Sequence, residues 1–364
     1  MKPGILEATS EFEKWLGAQI PIIRQDLRLK HQFMAEAEFP FFRATFYRWL
    51  QLWPEVCPEL AKAPKVLAVG DLHIENFGTW RDLEGRLIWG VNDLDEVFPS
   101  SYAIDLVRLA ASAYLAINGE HLCMPRREAA EAIEEGYGDS LAAGGKPFIL
   151  AEDHEWLRLM ALSKLRDPVH FWEKVTHLPP FTTKPPKEVR ELLEESLPPK
   201  SLYQLKKRVA GLGSLGHPRI LALSSSGGAL IAREAKAIRP SASVWHNKAS
   251  ADMIYGPKLM ARCLRVPDPF VSFHNRWLVR RLAPDCSRIE LAALSAQRDE
   301  ARLLYSMGWE TANMHFGSPE AIPQIKRDLA KRKSRWLHKA AKAMCKATLK
   351  DWEDWRKGWK KLTR

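Results

Sequence analysis

Long apolar runs are missing from this 364-residue chain. No stretch approaches 18 consecutive apolar residues, so no membrane-spanning helix is expected. Cysteine is scarce: Cys57, Cys123, Cys263, Cys286 and Cys345 are scattered, odd in number and without any CxxC spacing. Neither a zinc site nor a disulfide framework is expected from that pattern. The opening MKPGILEATSEFEKW carries acids where a secretory signal needs an apolar stretch, so the expectation is a cytoplasmic protein. Internal repeats and low-complexity tracts are also missing. What is present is ordinary globular material. The 46% hydrophobic content and 14 tryptophans suffice for a sizeable core and argue against a mainly disordered chain.

Negative charge is short in one place only. Residues 324–364 hold 15 Lys/Arg against 4 Asp/Glu, which accounts for the whole net charge of +11. That segment reads as a solvated helix face, or as a patch for nucleic acid, an acidic partner or anionic lipid. Within it Arg335, Lys339, Lys342, Lys346 and Lys350 recur at three- and four-residue intervals. This predicts a cationic helix face with Leu337, Met344 and Trp355 opposite, on a surface appendage.

Residues 1–64 have helical spacing, interrupted at Pro40. KVLAV (65–69) and RLIWGV (86–91) read as buried strands. Residues 104–117, 127–143 and 153–164 read as helices. Residues 177–200 carry six prolines around a short charged helix and read as a linker. Residues 208–238 read as strand, glycine loop, strand, SSSGG turn and strand. Beyond 249 the pattern is helical, except for RWLVRRL at 276–282, which could serve as a hinge.

Three motifs carry chemistry. In VGDLHIENFG (69–78), Asp71 and Asn76 lie in a loop leaving an apolar strand. In GVNDLDEVFP (90–99), Asp93 and Asp95 end another strand. Phosphoryl transfer needs a carboxylate near the acceptor hydroxyl and hard oxygen ligands for magnesium on the phosphates. A D-x-x-x-x-N loop followed by a strand-end Asp supplies that set. Each motif alone is also what turns and helix caps look like. The third motif, GLGSLG (211–216), offers Gly211, Gly213, Ser214 and Gly216 for binding phosphates. It is followed by strand residues rather than a helix, which suits a hairpin over a triphosphate better than a dinucleotide fold. The next strand presents Lys236 as the cation for the phosphates, with Arg233 as its rival on the opposite face. His73 could contact phosphate or substrate, or bond to backbone. Asp105 reads as a brace for the Asp71 loop. Arg43 reads as a buried ion-pair partner or a phosphate contact.

The catalytic loop precedes the glycine loop, the reverse of ordinary kinases, and a circular permutation would reconcile the order. The chain resembles the bacterial domain-of-unknown-function 2252 family. FPFFRATFYRW (39–49), VGDLHIENFG (69–78) and VNDLDEVFPSSYAIDLVRLAAS (91–112) carry the resemblance, with RVAGLGSLG (208–216) and KAIRPSA (236–242). It implies a permuted protein-kinase-like fold related to aminoglycoside and choline phosphotransferases. By that match Asp71 is the catalytic base, and Asn76 and Asp93 are magnesium ligands. Val69 replaces the histidine of the small-molecule kinases, and helix 249–264 offers only Asp252 as an acid for Lys236.

The expected fold class is therefore α+β and two-lobed. Residues 1–176 would begin a large helical lobe and 177–200 would be the linker. Residues 201–283 would form a small antiparallel β lobe, and 284–364 would return to the large lobe. The expected activity is ATP- and magnesium-dependent transfer to a hydroxyl, more in keeping with a small molecule. Nucleotidyl transfer to a protein and non-catalytic nucleotide binding are the alternatives.

Overall fold

The structure is a computed structural model that describes residues 3–119, 121–151, 153–161, 167–286 and 299–362. The chain opens on α1 (Ile5–Gln19), α2 (Arg24–Glu36), α3 (Glu38–Ala44), α4 (Phe46–Val56) and α5 (Pro58–Ala61). The expected break at Pro40 falls instead at Ala37, whose extended φ of −148° separates α2 from α3. Proline fits the first turn of a helix, where its missing N–H costs nothing, so Pro40 sits inside α3.

Strands β1 (Lys65–Ala68), β2 (Phe77–Arg81), β3 (Leu87–Val91) and β4 (Phe98–Ser101) follow, then α6 (Ala103–Asn118) and α7 (Arg126–Ala143). Next come β5 (Phe148–Ile149), α8 (Glu155–Ala161), α9 (Pro168–Thr176) and α10 (Lys187–Ser196). The helix expected over 153–164 is thus α8, and residues 162–164 lie outside the described residues. Strands β6 (Tyr203–Lys207), β7 (Arg219–Ser226) and β8 (Ala229–Ala237) precede α11 (Ala242–His246) and α12 (Gly256–Arg262). The chain ends on β9 (Ser272–His274), β10 (Trp277–Leu282), α13 (Glu300–His315), α14 (Ile322–Leu329) and α15 (Trp336–Leu362). The fold is mixed α+β, mainly helical, with small antiparallel sheets.

Strand β1 pairs with β4, and β2 with β3 and β5, all antiparallel. A five-stranded antiparallel sheet has the order β6-β7-β8-β10-β9. Both of its faces are covered, as the alternation of β7 requires. Ile220 and Ala222 pack with Val189 and Leu193 of α10, and Leu221 and Leu223 pack with Val175 of α9. Residues 177–200 are accordingly no free tether. Val189 and Leu193 are one turn apart and place an apolar stripe on the sheet, while Phe181 N–H donates to Leu205 O at 2.9 Å. RWLVRRL is likewise no hinge: β10 is hydrogen-bonded to β8 on one side and β9 on the other.

The helical body centres on α6, which is mostly apolar and buried almost end to end, Asp105 and Arg108 included. The C-terminal segment belongs to this body, which corrects the expected surface appendage. Leu337, Ala341, Met344 and Trp355 are buried, and Asp351 forms an ion pair with Arg48 at 2.7 Å. The helix and the polarity of its faces are as expected, with Lys339, Lys342, Lys346 and Lys350 exposed. A helix this strongly amphipathic buries its apolar stripe wherever the body offers one. Met344→Ala is expected to cost about 2–5 kcal/mol by denaturant unfolding. Reversing the four lysines should change stability by roughly 0.5 kcal/mol or less per site. A Met344→Ala protein as stable as the parent would place α15 outside the core.

Candidate functional site

The VGDLHIENFG loop leaves β1 and is held from beneath. Asp105, fully buried near the start of α6, accepts the Val69 and Gly70 N–H groups at 2.7 and 2.8 Å. His315 Nε2 lies 3.0 Å from the same carboxylate. Asp105 thus takes the bracing position expected of it. Gly70 has φ +85°, and a Cβ there would stand 2.5 Å from Glu96 O, so glycine is required where the two acidic loops touch.

Asp71 comes next. Its Oδ1 accepts from Arg108 Nε at 2.7 Å and from Arg108 Nη2. The Arg108 guanidinium is buried over the rings of Phe42, Phe46 and Trp49, with its carbon 4.0 Å from the Phe42 centroid. Burial pushes the Asp71 carboxyl above the usual range, against the opposing charge of Arg108. Oδ2 faces Gly213, at whose position a Cβ would lie 3.8 Å from it.

Asn76 ties the two acidic loops together. Its Nδ2 donates to Asp71 O and Asp93 O, both at 3.2 Å, and its Oδ1 accepts Asp93 N–H at 2.8 Å. One lone pair of that oxygen is used. Asp93 and Asp95 follow β3 and share one cation. Lys236 Nζ bonds Asp95 and stands 3.7 Å from Asp93 Oδ1. Burial opposes ionisation of both acids. Lys236 and Arg280 outweigh it at Asp93, whose carboxyl stays below the ordinary range, whereas the neighbouring Asp93 charge raises Asp95 further. Among the described residues no group of three or more His, Cys, Asp or Glu side chains is arranged to hold a metal ion. The oxygens that could hold a hard cation are the Asp93 and Asp95 carboxylates and the Asn76 amide oxygen, which line the same cleft. Hard oxygens of this number suit a cation that takes most of its other ligands from phosphate and water.

The glycine loop borders the same cleft through Gly213 and Ser214, whereas Gly211 and Gly216 do not line it. Gly211 has φ +76°, and a Cβ there would meet Arg219 Nη2 and Ser214 Oγ at 2.9 Å. Arg219 Nη2 donates to Ser214 Oγ at 2.6 Å. The loop is docked on α2 by Ile23 N–H to Gly216 O at 2.9 Å and Lys30 Nζ to Gly213 O at 3.4 Å. Asp71, His73, Asn76, Asp93, Asp95, Gly213 and Ser214 all line one small cleft that opens to solvent. His73 is buried there, its ring edge-on to Phe39. Arg43 also lines the cleft and forms an ion pair with Glu75.

Strand parity separates the two candidate cations. Lys236 shares a sheet face with Glu234 and, across the ladder, Arg219; it does not itself line the cleft but bonds Asp95, which does. Arg233 is on the other face, donating to Ser196 O at 2.9 Å and lying over Phe270. This corrects its assignment as a phosphate ligand. Arg233→Ala should leave ligand affinity in the cleft within about twofold, measured by calorimetry, because it touches nothing there. The sequence leaves the acid partner of Lys236 open, with Asp252 the one acid in helix 249–264. Asp252 is almost fully exposed beside Arg276, and the partners are Asp93 and Asp95 themselves.

Several residues of the site carried no sequence expectation. Glu234 is fully buried and meets Arg208, Arg219 at 2.9 Å and Arg280 at 2.8 Å. Burial disfavours its charge, yet the three arginines hold the carboxyl well below its usual value. Glu234 is the hub that orients Arg219 under the glycine loop. Glu234→Gln leaves three cations facing a neutral group and should cost about 3–5 kcal/mol, read as the denaturation midpoint. A midpoint equal to the parent's would mean that solvent, not Glu234, balances those arginines. Glu96 is a second hub. It accepts from Arg239, from Ser241 Oγ at 2.8 Å and from Ala242 N–H at 2.6 Å, joining the Asp93 loop to the start of α11. Arg108 had one local signal: it stands one turn after Asp105 on α6. Glu234 and Glu96 had none, since their partners are remote in sequence.

No curated protein and no solved structure matches the chain. Residues 23–153, which supply Arg43, Asp71, Asn76, Asp93, Asp95, Asp105 and Arg108 but not the glycine loop or Lys236, match the family model described as an uncharacterized protein conserved in bacteria (DUF2252).

Proposed function

We propose that the cleft binds ATP with magnesium and transfers a phosphoryl group to a hydroxyl, on a permuted kinase-like arrangement of two lobes. One observation carries this reading. Lys236, on the third strand of a sheet whose first hairpin is the glycine loop, reaches Asp93 and Asp95, more than 140 residues earlier in the chain. A glycine hairpin, a third-strand lysine, a D-x-x-x-x-N loop and a strand-end Asp make up the kinase inventory. Neither segment holds that inventory alone.

In this reading Lys236 exchanges its carboxylate partners for phosphate oxygens when nucleotide enters. The glycine loop would cover the phosphates with N–H groups other than those of Ser214 and Leu215, which donate to Gly211 O and Leu212 O. Magnesium, held by Asp93, Asp95 and the remaining Asn76 lone pair, would offset charge on the β- and γ-phosphates. Asp71 Oδ2 accepts the acceptor's proton while Arg108 fixes Oδ1. The acceptor oxygen bonds to the γ-phosphorus, the bond from that phosphorus to the β–γ bridging oxygen breaks, and ADP leaves.

A second reading, nucleotide binding without transfer, has one observation in its favour: the acids that position Lys236 are the proposed metal ligands, so no separate acid holds it. Incubation with γ-labelled and α-labelled ATP, with and without cell extract, separates these. Label on an acceptor from γ-ATP alone is the expected result. Label from α-ATP would make the protein a nucleotidyl transferase. Binding without label in either arm would favour the second reading.

A further inference from the structure

Most buried charges of the cleft have a counter-charge. Arg43 has Glu75, Arg108 has Asp71, Arg239 has Glu96, and Lys236 has Asp93 and Asp95. Among the described residues Lys30 has no carboxylate within ion-pair distance, and Glu13, Glu96 and Asp71 act on it only from farther away. It is 4% exposed, and its hydrogen bond there is the 3.4 Å contact with Gly213 O. Burial pulls its ammonium down to about 8. Glu13, the α1 carboxylate that acts most on Lys30, is itself engaged by His31 at 2.6 Å. Beside it His217, also 4% exposed, has a buried Nδ1 with no hydrogen-bond partner. Burial and the cations Arg239, Lys236 and Lys30 keep that imidazole neutral.

A buried ammonium without a carboxylate is costly, and so is a buried ring nitrogen without a partner. Both line the cleft on its α2 side, together with Phe12, Phe46 and Tyr47. Gly213, whose carbonyl Lys30 bonds, faces Asp71 Oδ2, while the charges of Arg239 and Lys236 act on His217, so the pair lies between Asp71 and the sheet cations.

We infer that this side is an anion subsite, in which Lys30 and His217 take the carboxylate or phosphate oxygens of the acceptor whose hydroxyl meets Asp71. The acceptor part rests on the phosphotransferase reading; the anion subsite does not. The cleft is small and partly lined by aromatic rings, which favours a small hydroxy acid or sugar-phosphate type of acceptor.

Inorganic phosphate is the first probe, titrated into the full chain by calorimetry. It should bind, and Lys30→Met should weaken it at least tenfold. Because Lys30→Met removes an uncompensated buried charge, its Tm should rise, so loss of binding cannot be ascribed to unfolding. Lys30→Arg, which keeps the charge, should retain binding. Glycerol phosphate and glycerate should each displace phosphate, and glycerol should not; the stronger competitor tells phosphate from carboxylate. Phosphate should still bind when a non-hydrolysable ATP analogue is present. Absence of phosphate binding, or full binding by Lys30→Met, overturns the subsite. Competition between phosphate and the analogue overturns the acceptor assignment and gives Lys30 to the terminal phosphate of the nucleotide. Lys30-dependent phosphate binding in a protein that binds no nucleotide leaves the subsite standing and removes the phosphotransferase reading.

Discussion

Asp71→Asn is expected to lower turnover by about 10²–10⁴-fold while ATP affinity stays within a few fold. A group that takes a proton in the transition state contributes to rate more than to ground-state binding. The geometry makes the experiment clean. The Asn amide oxygen can still accept from Arg108, so the buried guanidinium keeps a partner and the fold should survive. Labelled-ATP turnover and calorimetry on the same sample decide it. A folded Asp71→Asn protein that no longer binds ATP would make Asp71 a ligand of metal or phosphate. The companion change is Arg108→Met. It strands a buried carboxylate, which should cost about 3–5 kcal/mol. It also removes the cation that favours the charged carboxyl, so the already raised pKa of Asp71 rises further. A base must be ionised to act. The acid limb of the rate profile should therefore move to higher pH in Arg108→Met, and turnover at a fixed acidic pH should fall.

Lys236→Met should weaken ATP binding and turnover together, and should change how the free protein responds to magnesium. In the free protein the Lys236 ammonium lies between Asp93 and Asp95. Its loss leaves two adjacent carboxylates with Arg280, Arg219 and Arg239 as the remaining cations that act on them. Breaking such a buried pairing should cost about 3–5 kcal/mol at neutral pH. With the lysine gone, the two acids must hold a proton more tightly in the folded state than in the unfolded one. For an acid with a raised folded pKa, stability is present at low pH and is lost as pH rises through that pKa. The variant should therefore regain stability relative to the parent as pH is lowered, and it should also regain stability when magnesium is added without nucleotide. A ligand at about 100 times its Kd adds about 2.7 kcal/mol. Melting curves with and without magnesium test this. If magnesium shifts the variant no more than the parent, Asp93 and Asp95 are not a cation site.

Legibility in the sequence followed locality. Helices α6 and α7 and strands β1, β3, β7 and β8 were readable because their periodicity is written within each segment. The opposite facing of Arg233 and Lys236 was readable from strand parity alone. The bracing role of Asp105 was readable from its spacing within a matched motif. The partner of Lys236 was not: it was sought on the helix after the sheet, whereas it lies on a loop 141 residues away. Glu234 is unremarkable in ALIAREAKAI until Arg208, Arg219 and Arg280 arrive from three other segments. The fate of the Pro-rich stretch was equally hidden. Prolines mark where a helix cannot run, but whether the helix between them docks depends on an apolar sheet face supplied elsewhere.

What the sequence determined by itself was the chemical inventory and its local carriers. It held an acid loop, a strand-end acid pair, a glycine hairpin and a lysine strand, with a cationic helix at the end. What only the tertiary structure decided was which of these share a cleft, and which charges inside it are balanced. Lys30 shows the difference. In RQDLRLKHQ it is one helix cation among several. Folding buries it against the glycine loop while Arg43, Arg108, Arg239 and Lys236 take carboxylate partners. Periodicity places a side chain on a face. The electrostatic balance of a buried group depends on every charge brought near it in space, and chain order carries no record of that.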